Sequence, residues 1–277
     1  MRGWTTCFVA LALLPAAAAG AQEAGCEPGP GCAVPRPVEE AAAVNRASLE
    51  YGITYFGGGS EPEPWHTASA ELSRKTRPVT LVARATVAER FGQRGEQFEV
   101  DAYPRISPRF YGYLNAGWSP SDIFPELRLG AELYANAGGG TELSAGARRL
   151  EFAEQSVTIL TGSVGRYAGN YYFSARPYVT PRDDEGTSYS GTLLARRYFS
   201  SADSYATLTV GAGTAPTESA QEFELDRVSS QRVGVYGKTP VGRRLGVRWS
   251  AGYEHEELTR TVDRQRLSGG LGLELRF

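Results

Sequence analysis

The chain has 277 residues but only two histidines, three cysteines and one methionine, the initiator. So few imidazole and thiolate groups leave no spacing for a zinc site, a CxxC redox pair or a metallohydrolase motif. Uninterrupted apolar runs are equally scarce. Beyond Gly20 none approaches the roughly 20 residues that a transmembrane helix needs, and mean hydropathy is −0.33. An excess of one charge is missing too: 29 basic residues against 31 acidic leave a formal charge of −2. Nothing in that balance draws a polyanion, so nucleic acid is not an expected partner. Lysine is almost absent, 2 residues against 27 arginines, which fits GC-rich codon usage as well as anion recognition. What is plentiful is glycine, 33 residues, and tyrosine, 15 against 11 phenylalanines. With long polar–apolar alternations, that composition argues against helical bundles.

The N-terminus has the pattern of a secretory signal. Arg2 supplies positive charge, Cys7 to Ala19 an apolar core, and Ala19-Gly20-Ala21 a small-residue cleavage site before Gln22. Residues 1–21 are therefore expected to be a signal peptide and 22–46 a Pro/Gly/Ala-rich periplasmic leader. Export leaves Cys26 and Cys32 in an oxidising compartment, where they are expected to form a small disulfide loop. A lipid anchor at Cys26 fits poorly, because Glu23 stands where an anchoring signal wants an apolar residue.

From residue 47 to 277 the chain alternates. Leu49, Tyr51, Ile53 and Tyr55 fall on one face of a strand, with Glu50, Gly52 and Thr54 on the other. The same period of two runs through Leu127 to Asn136 and Leu245 to Glu254. About fourteen such segments can be counted, from 48–56 to 265–277, with twelve as the alternative if Thr67–Glu89 merges. Longer polar linkers such as GGGSEPEPWH, RFGQRGE and HEELTRTVDRQ alternate with short ones such as RKTRP, GGG and GN. A soluble Greek-key sandwich has no reason for that rhythm. A transmembrane up-and-down antiparallel β-barrel does, with short periplasmic turns, long outer loops and both termini periplasmic. Low hydropathy is no objection, since only alternate residues meet lipid.

The final strand carries an unbroken stripe, Leu267, Gly269, Leu271, Leu273, Leu275 and a terminal Phe277. Leu271, Leu273, Leu275 and Phe277 resemble the signal read by the outer-membrane assembly machinery. Lipid and that machinery are thus expected partners. Because an unpaired backbone group in hydrocarbon costs several kcal/mol, the last strand must pair with the first. Tyr51, Tyr55, Trp118, Tyr171, Tyr189, Trp249 and Tyr253 become candidates for the interfacial girdles.

The runs RRLEF (148–152), TGSVGRYAGNYYFSARPYVTP (161–181) and SYSGTLLARRYF (188–199) resemble the YaiO family of outer-membrane β-barrel proteins. The likeness spans roughly residues 48–277 and is strongest over 146–199. It implies a bacterial outer-membrane barrel and brings no catalytic residues. It does not reach Cys26 and Cys32.

With the apolar stripes facing lipid, the bore is expected to collect Arg84, Glu99, Asp101, Arg105, Arg128, Glu132, Arg148, Arg166, Arg176 and Arg248. Tyr111, Tyr113, Asn115, Tyr134 and Glu254 join them. Such charges either fill the bore by pairing or line a narrow channel. Two non-enzymatic functions follow: a pore or export channel for small polar solutes or polysaccharide, or a sealed barrel that binds an envelope partner. An outer-membrane lipid-modifying enzyme is the third. His66 and His255 are its only histidines, and neither sits in a nucleophile or metal motif. No catalytic, metal or cofactor site is expected.

Overall fold

A computed structural model describes residues 44–57, 63–182, 186–214, 229–259 and 262–277. The expected signal peptide, residues 22–43 of the leader and the Cys26–Cys32 pair lie outside the described residues. The strands are β1 (Val44–Gly57), β2 (Trp65–Lys75), β3 (Val79–Arg90), β4 (Gln93–Pro104), β5 (Phe110–Trp118), β6 (Leu127–Gly138) and β7 (Thr141–Glu151). They continue with β8 (Ser156–Ala168), β9 (Tyr171–Arg182), β10 (Gly186–Tyr198), β11 (Tyr205–Gly213), β12 (Ser229–Val241), β13 (Leu245–Thr259) and β14 (Val262–Arg276). Each pairs antiparallel with its neighbours in sequence, and the ring closes between β1 and β14. Fourteen strands, not twelve, make the barrel, because Thr67–Glu89 splits at the turn through 76–78 into β2 and β3.

Closure is complete along the seam. β1 and β14 pair continuously from Arg46 opposite Arg276 to Gly57 opposite Gln265. Phe277 extends the ladder, since Asn45 and Phe277 exchange backbone hydrogen bonds of 3.2 and 3.0 Å. β1 thus already includes Val44, Asn45 and Arg46.

Strands are longer than alternation alone suggests, and two expected loops shrink accordingly. RFGQRGE is mostly strand around a tight turn at Phe91 and Gly92, both with positive φ (53° and 69°). Two positive φ values match the right-handed twist of a hairpin, and only Gly takes that conformation without steric cost. HEELTRTVDRQ is likewise almost all β13 and β14. At the end where β1 begins, here the terminal end, strands are joined through 76–78, 105–109, 139–140, 169–170, 199–204 and 242–244. Among the connections described in full, the longest, 119–126, lies at the opposite, distal end.

The outer wall is apolar. Leu49 (68% exposed), Leu72, Leu114, Leu193, Leu271 (67%) and Leu273 point away from the bore. All seven girdle candidates share that outward face by register. Tyr55, Trp118, Tyr189 and Tyr253 stand near the distal end and Tyr171 near the terminal end, whereas Tyr51 and Trp249 sit between the two rims. Only five tyrosines face outward; the other ten face the bore.

A charge on the outer wall should be as costly as the lipid model requires. Leu271→Arg should destabilise the folded protein by about 2–4 kcal/mol near the bilayer midplane. Urea unfolding in liposomes, followed by heat-modifiable mobility, measures it; an unchanged midpoint would contradict a lipid-facing Leu271.

Candidate functional site: the barrel interior

Parity sets the inner wall. With Leu127, Leu129, Ala131 and Leu133 outside, Arg128, Gly130, Glu132 and Tyr134 must point in, and register carries that parity around the ring. Glu71, Arg84, Glu99 and Gly117 form one inward row, and Tyr113, Glu132, Gly146 and Thr161 another.

Five of the expected lumen residues join one alternating-charge network. Arg84 lies 3.0 Å from Glu71, 3.4 Å from Glu99 and 3.5 Å from Asp101. Arg128 reaches the other oxygen of Glu99 at 3.2 Å, and Arg248 meets Glu50 at 3.5 Å and Glu71 at 3.6 Å. Asn115 donates to Asp101 at 2.7 Å, and Tyr113 does so at 3.2 Å.

Three more make a second, drier cluster. Glu132, with a side chain 0% exposed, accepts from Arg176 at 2.7 Å and Arg148 at 3.3 Å. Arg176 also donates to the Tyr134 hydroxyl at 3.2 Å. Room for the cluster comes from Gly146, where an added Cβ would sit 2.6 Å from the Glu132 Cβ. Glu132 is held between two cations that share its one negative charge, and removing the carboxylate takes that shared partner from both.

Arg105 and Arg166 are elsewhere. Arg105 is exposed in the 105–109 connection at the terminal end. Arg166 is exposed on the outer wall of β8, opposite Phe173. β8 misleads because it is apolar on both faces: Val157 and Ile159 point in, Leu160 and Val164 out. Its parity cannot be read from hydropathy.

Sequence reasoning also missed much of the interior. Ten tyrosines face the bore, most of them on strands β4 to β12 near the terminal end. Tyr111 stacks on Tyr134 with centroids 4.6 Å apart, and Tyr167 packs beside Tyr172 at 4.5 Å. Tyr111 and Tyr172 both donate to Glu142, at 2.9 and 3.3 Å. The Arg196 guanidinium lies 4.4 Å from the Tyr205 ring centroid, and Arg196 donates to the Tyr236 hydroxyl at 3.3 Å. Alternation in β5 and β6 predicts Tyr111, Tyr113 and Tyr134 inside; the same alternation in β9 to β12 would have placed Tyr172, Tyr198, Tyr205 and Tyr236 beside them.

Towards the distal end the interior also holds aliphatic and aromatic clusters. Leu150, Phe152, Val157, Ile159 and Tyr178 form a buried apolar cluster on β7 to β9. Across the wall Trp65 packs edge-on to Phe56 and Phe91, with Arg90, Arg264 and Arg266 over its ring.

At the terminal end the connection 199–204 reaches across the mouth. Asp203 accepts from Arg46 of β1 at 2.7 Å and from Lys238 of β12 at 3.0 Å. Glu274 of β14 pairs with Lys238 and lies 3.5 Å from Arg46. Partial burial pushes the Asp203 carboxyl up, but hydrogen bonds and charge from Arg46 and Lys238 outweigh it and hold the group below its ordinary value. No periodic signal marks Asp203, which sits in a connection.

Neither histidine is in this interior. His66 accepts or shares a proton with the Tyr51 hydroxyl at 2.6 Å on the outer wall, and His255 pairs opposite Gln265 with the same outward parity. Among the described residues no three His, Cys, Asp or Glu side chains gather as a metal site.

Two outcomes are expected. Glu132→Ala should cost about 3–5 kcal/mol, the scale for breaking a buried pair by removing one partner, measured as the urea midpoint in detergent. Asp203→Asn should cost on the order of 1 kcal/mol at neutral pH. Because the folded-state pKa of Asp203 is depressed, its contribution is complete above the unfolded value of about 3.9 and is lost as pH falls through the lower folded value. The gap between wild type and Asp203→Asn should therefore close under acid; a gap independent of pH would show that the contacts carry no such linkage.

Comparison with known proteins places this interior among membrane barrels. The family model described as YaiO membrane beta barrel domain matches residues 44–218, leaving β12 to β14 outside the match. No curated protein matches the sequence. Among solved structures, the "CymD monoaromatic hydrocarbon channel" is similar with a TM-score of 0.53 at 8% identity, covering 84% of this chain and 88% of that one. A "bacterial polysaccharide outer membrane secretin" gives 0.52 at 8% identity, covering 86% and 99%. An "anion-selective porin from Comamonas acidovorans" gives 0.47 at 8% identity, covering 85% of this chain and 99% of that one.

Proposed function

As a member of the YaiO membrane β-barrel family, the chain is an integral outer-membrane barrel, and we propose that it is a narrow, non-enzymatic channel for small polar solutes or saccharide. Its termini face the periplasm in this reading, with the long connections outside. One observation carries it. The inward side chains of Arg84, Arg248 and Glu50 are 31%, 33% and 35% exposed despite their ion pairs, so solvent reaches the charged side of the wall well inside the ring.

The bore is asymmetric. Charges on β13, β14 and β1 to β4 make one side, and the tyrosines of β4 to β12, interspersed with Glu132, Glu142, Arg148, Arg176 and Arg196, make the other. A solute with hydroxyls and ring faces suits both, since hydroxyls exchange hydrogen bonds with Arg and Glu while sugar rings lie against aromatic faces. The Asp203 contacts with Arg46 and Lys238 then act as a latch over the periplasmic mouth.

The alternative, a sealed barrel that presents surfaces to an envelope partner, is favoured by the buried apolar cluster around Leu150 and Ile159. Planar-bilayer recording of refolded protein separates the two. Reproducible small conductance steps are expected, with longer openings in Asp203→Asn. Silence from protein with normal heat-modifiable folding favours the sealed barrel. An enzymatic role would need His255, and His255→Ala is expected to leave envelope lipids unchanged.

A further inference from the structure

The two rims of the barrel differ sharply in charge. At the terminal end the connections expose Arg77, Arg105, Arg109, Arg243 and Arg244, and the strand ends add Arg74, Arg166 and Arg197. Among the described residues no exposed acidic side chain accompanies them at that rim. At the distal end exposure is mostly acidic, with Glu89, Glu96, Asp122, Glu126, Glu154 and Asp263, against Arg94 and Arg149. An overall charge of −2 hides this polarity.

On the outer wall of β8, β9 and β10 the basic rim becomes a built patch. Arg166 stands opposite Phe173, and Arg197 stands opposite Tyr171. Tyr171 and Phe173 stack, with centroids 5.9 Å apart and an interplanar angle of 9°. The Arg197 guanidinium lies 5.8 Å from the Tyr171 centroid and 5.4 Å from that of Phe199. Two arginines thus flank a pair of aromatic rings just where the lipid-facing stripe of Val164, Phe173 and Leu193 ends. Neither arginine is ion-paired to an acidic side chain among the described residues.

We propose that this patch binds the headgroup phosphate of an anionic phospholipid. Aromatic rings settle at the depth where acyl chains give way to headgroups, which fixes the height of the arginines at the phosphate layer. Guanidinium offers paired donors matched to phosphate oxygens and stays charged there. Further arginines in the turns extend the positive potential along the same leaflet surface. The occupant is a phospholipid and not lipid A because this rim is the periplasmic one in the orientation proposed above, on which this choice of leaflet rests. The patch also accounts for Arg166, a charge that neither lines the bore nor pairs with a neighbour.

The test uses the full-length protein in phosphatidylcholine nanodiscs containing spin-labelled phosphatidylglycerol, phosphatidylcholine or lipid A, with boundary-lipid association read by electron paramagnetic resonance. Phosphatidylglycerol should be preferred over phosphatidylcholine, by up to about fivefold for each arginine. Arg166→Gln with Arg197→Gln should remove most of that preference, Arg166→Lys with Arg197→Lys should keep part of it, and Arg94→Gln with Arg149→Gln should leave it unchanged. Raising salt on the native protein should weaken the preference without any substitution. Equal association of phosphatidylglycerol and phosphatidylcholine with native protein would overturn the site itself. A preference for lipid A, lost in the Gln pair, would keep a phosphate site but overturn the phospholipid assignment and the orientation beneath it.

Discussion

Backbone hydrogen bonding in a medium without water is the constraint from which the rest follows. A strand in hydrocarbon cannot leave its N–H and C=O groups unpaired, so the sheet has to close, and here it closes through an unbroken ladder between β1 and β14. Once the ring is shut, every second side chain must face lipid and every other one must share the interior. Leucines at Leu49, Leu271 and Leu273 then need no protein partner, while Glu71, Arg84 and Glu99 have to find one another.

The interior resolves its charges in two different ways. On one side, Arg84, Glu99, Arg128 and Arg248 share partners in a chain that spans several strands, with Arg84 and Arg248 each offset by more than one carboxylate and Arg128 by Glu99. Where the interior is driest, Glu132 sits fully buried between Arg148 and Arg176 on a wall thinned by Gly146. Tyrosine mediates between these regimes, since its ring fills space and its hydroxyl still satisfies Glu142, Asp101 or an arginine.

The outer surface is organised as carefully as the inner one. Basic residues gather at the terminal rim and acidic ones at the distal rim, and the apolar belt lies between. A barrel with that polarity has a preferred direction in an asymmetric membrane. The Asp203 contacts with Arg46 and Lys238 lie at the same basic end, where Asp203 and Glu274 together bridge the cations of β1 and β12.

The sequence determined the class of fold and the antiparallel order, because a period of two and the turn residues are local properties that survive without coordinates; the choice of fourteen strands over twelve waited on the turn through 76–78. It also determined the outward stripe of Leu271, Leu273, Leu275 and Phe277 and the inward parity of Arg84, Glu99, Glu132 and Arg176, since their flanking residues are apolar on one face only. Only the tertiary structure decided the parity of Arg166, whose strand is apolar on both faces, and the inward placement of most tyrosines, whose chemistry suits lipid interface and lumen equally. Only it joined Asp203 to Arg46, 157 positions away. Contacts of that kind depend on the registers accumulated around the whole ring, and no single strand contains that sum.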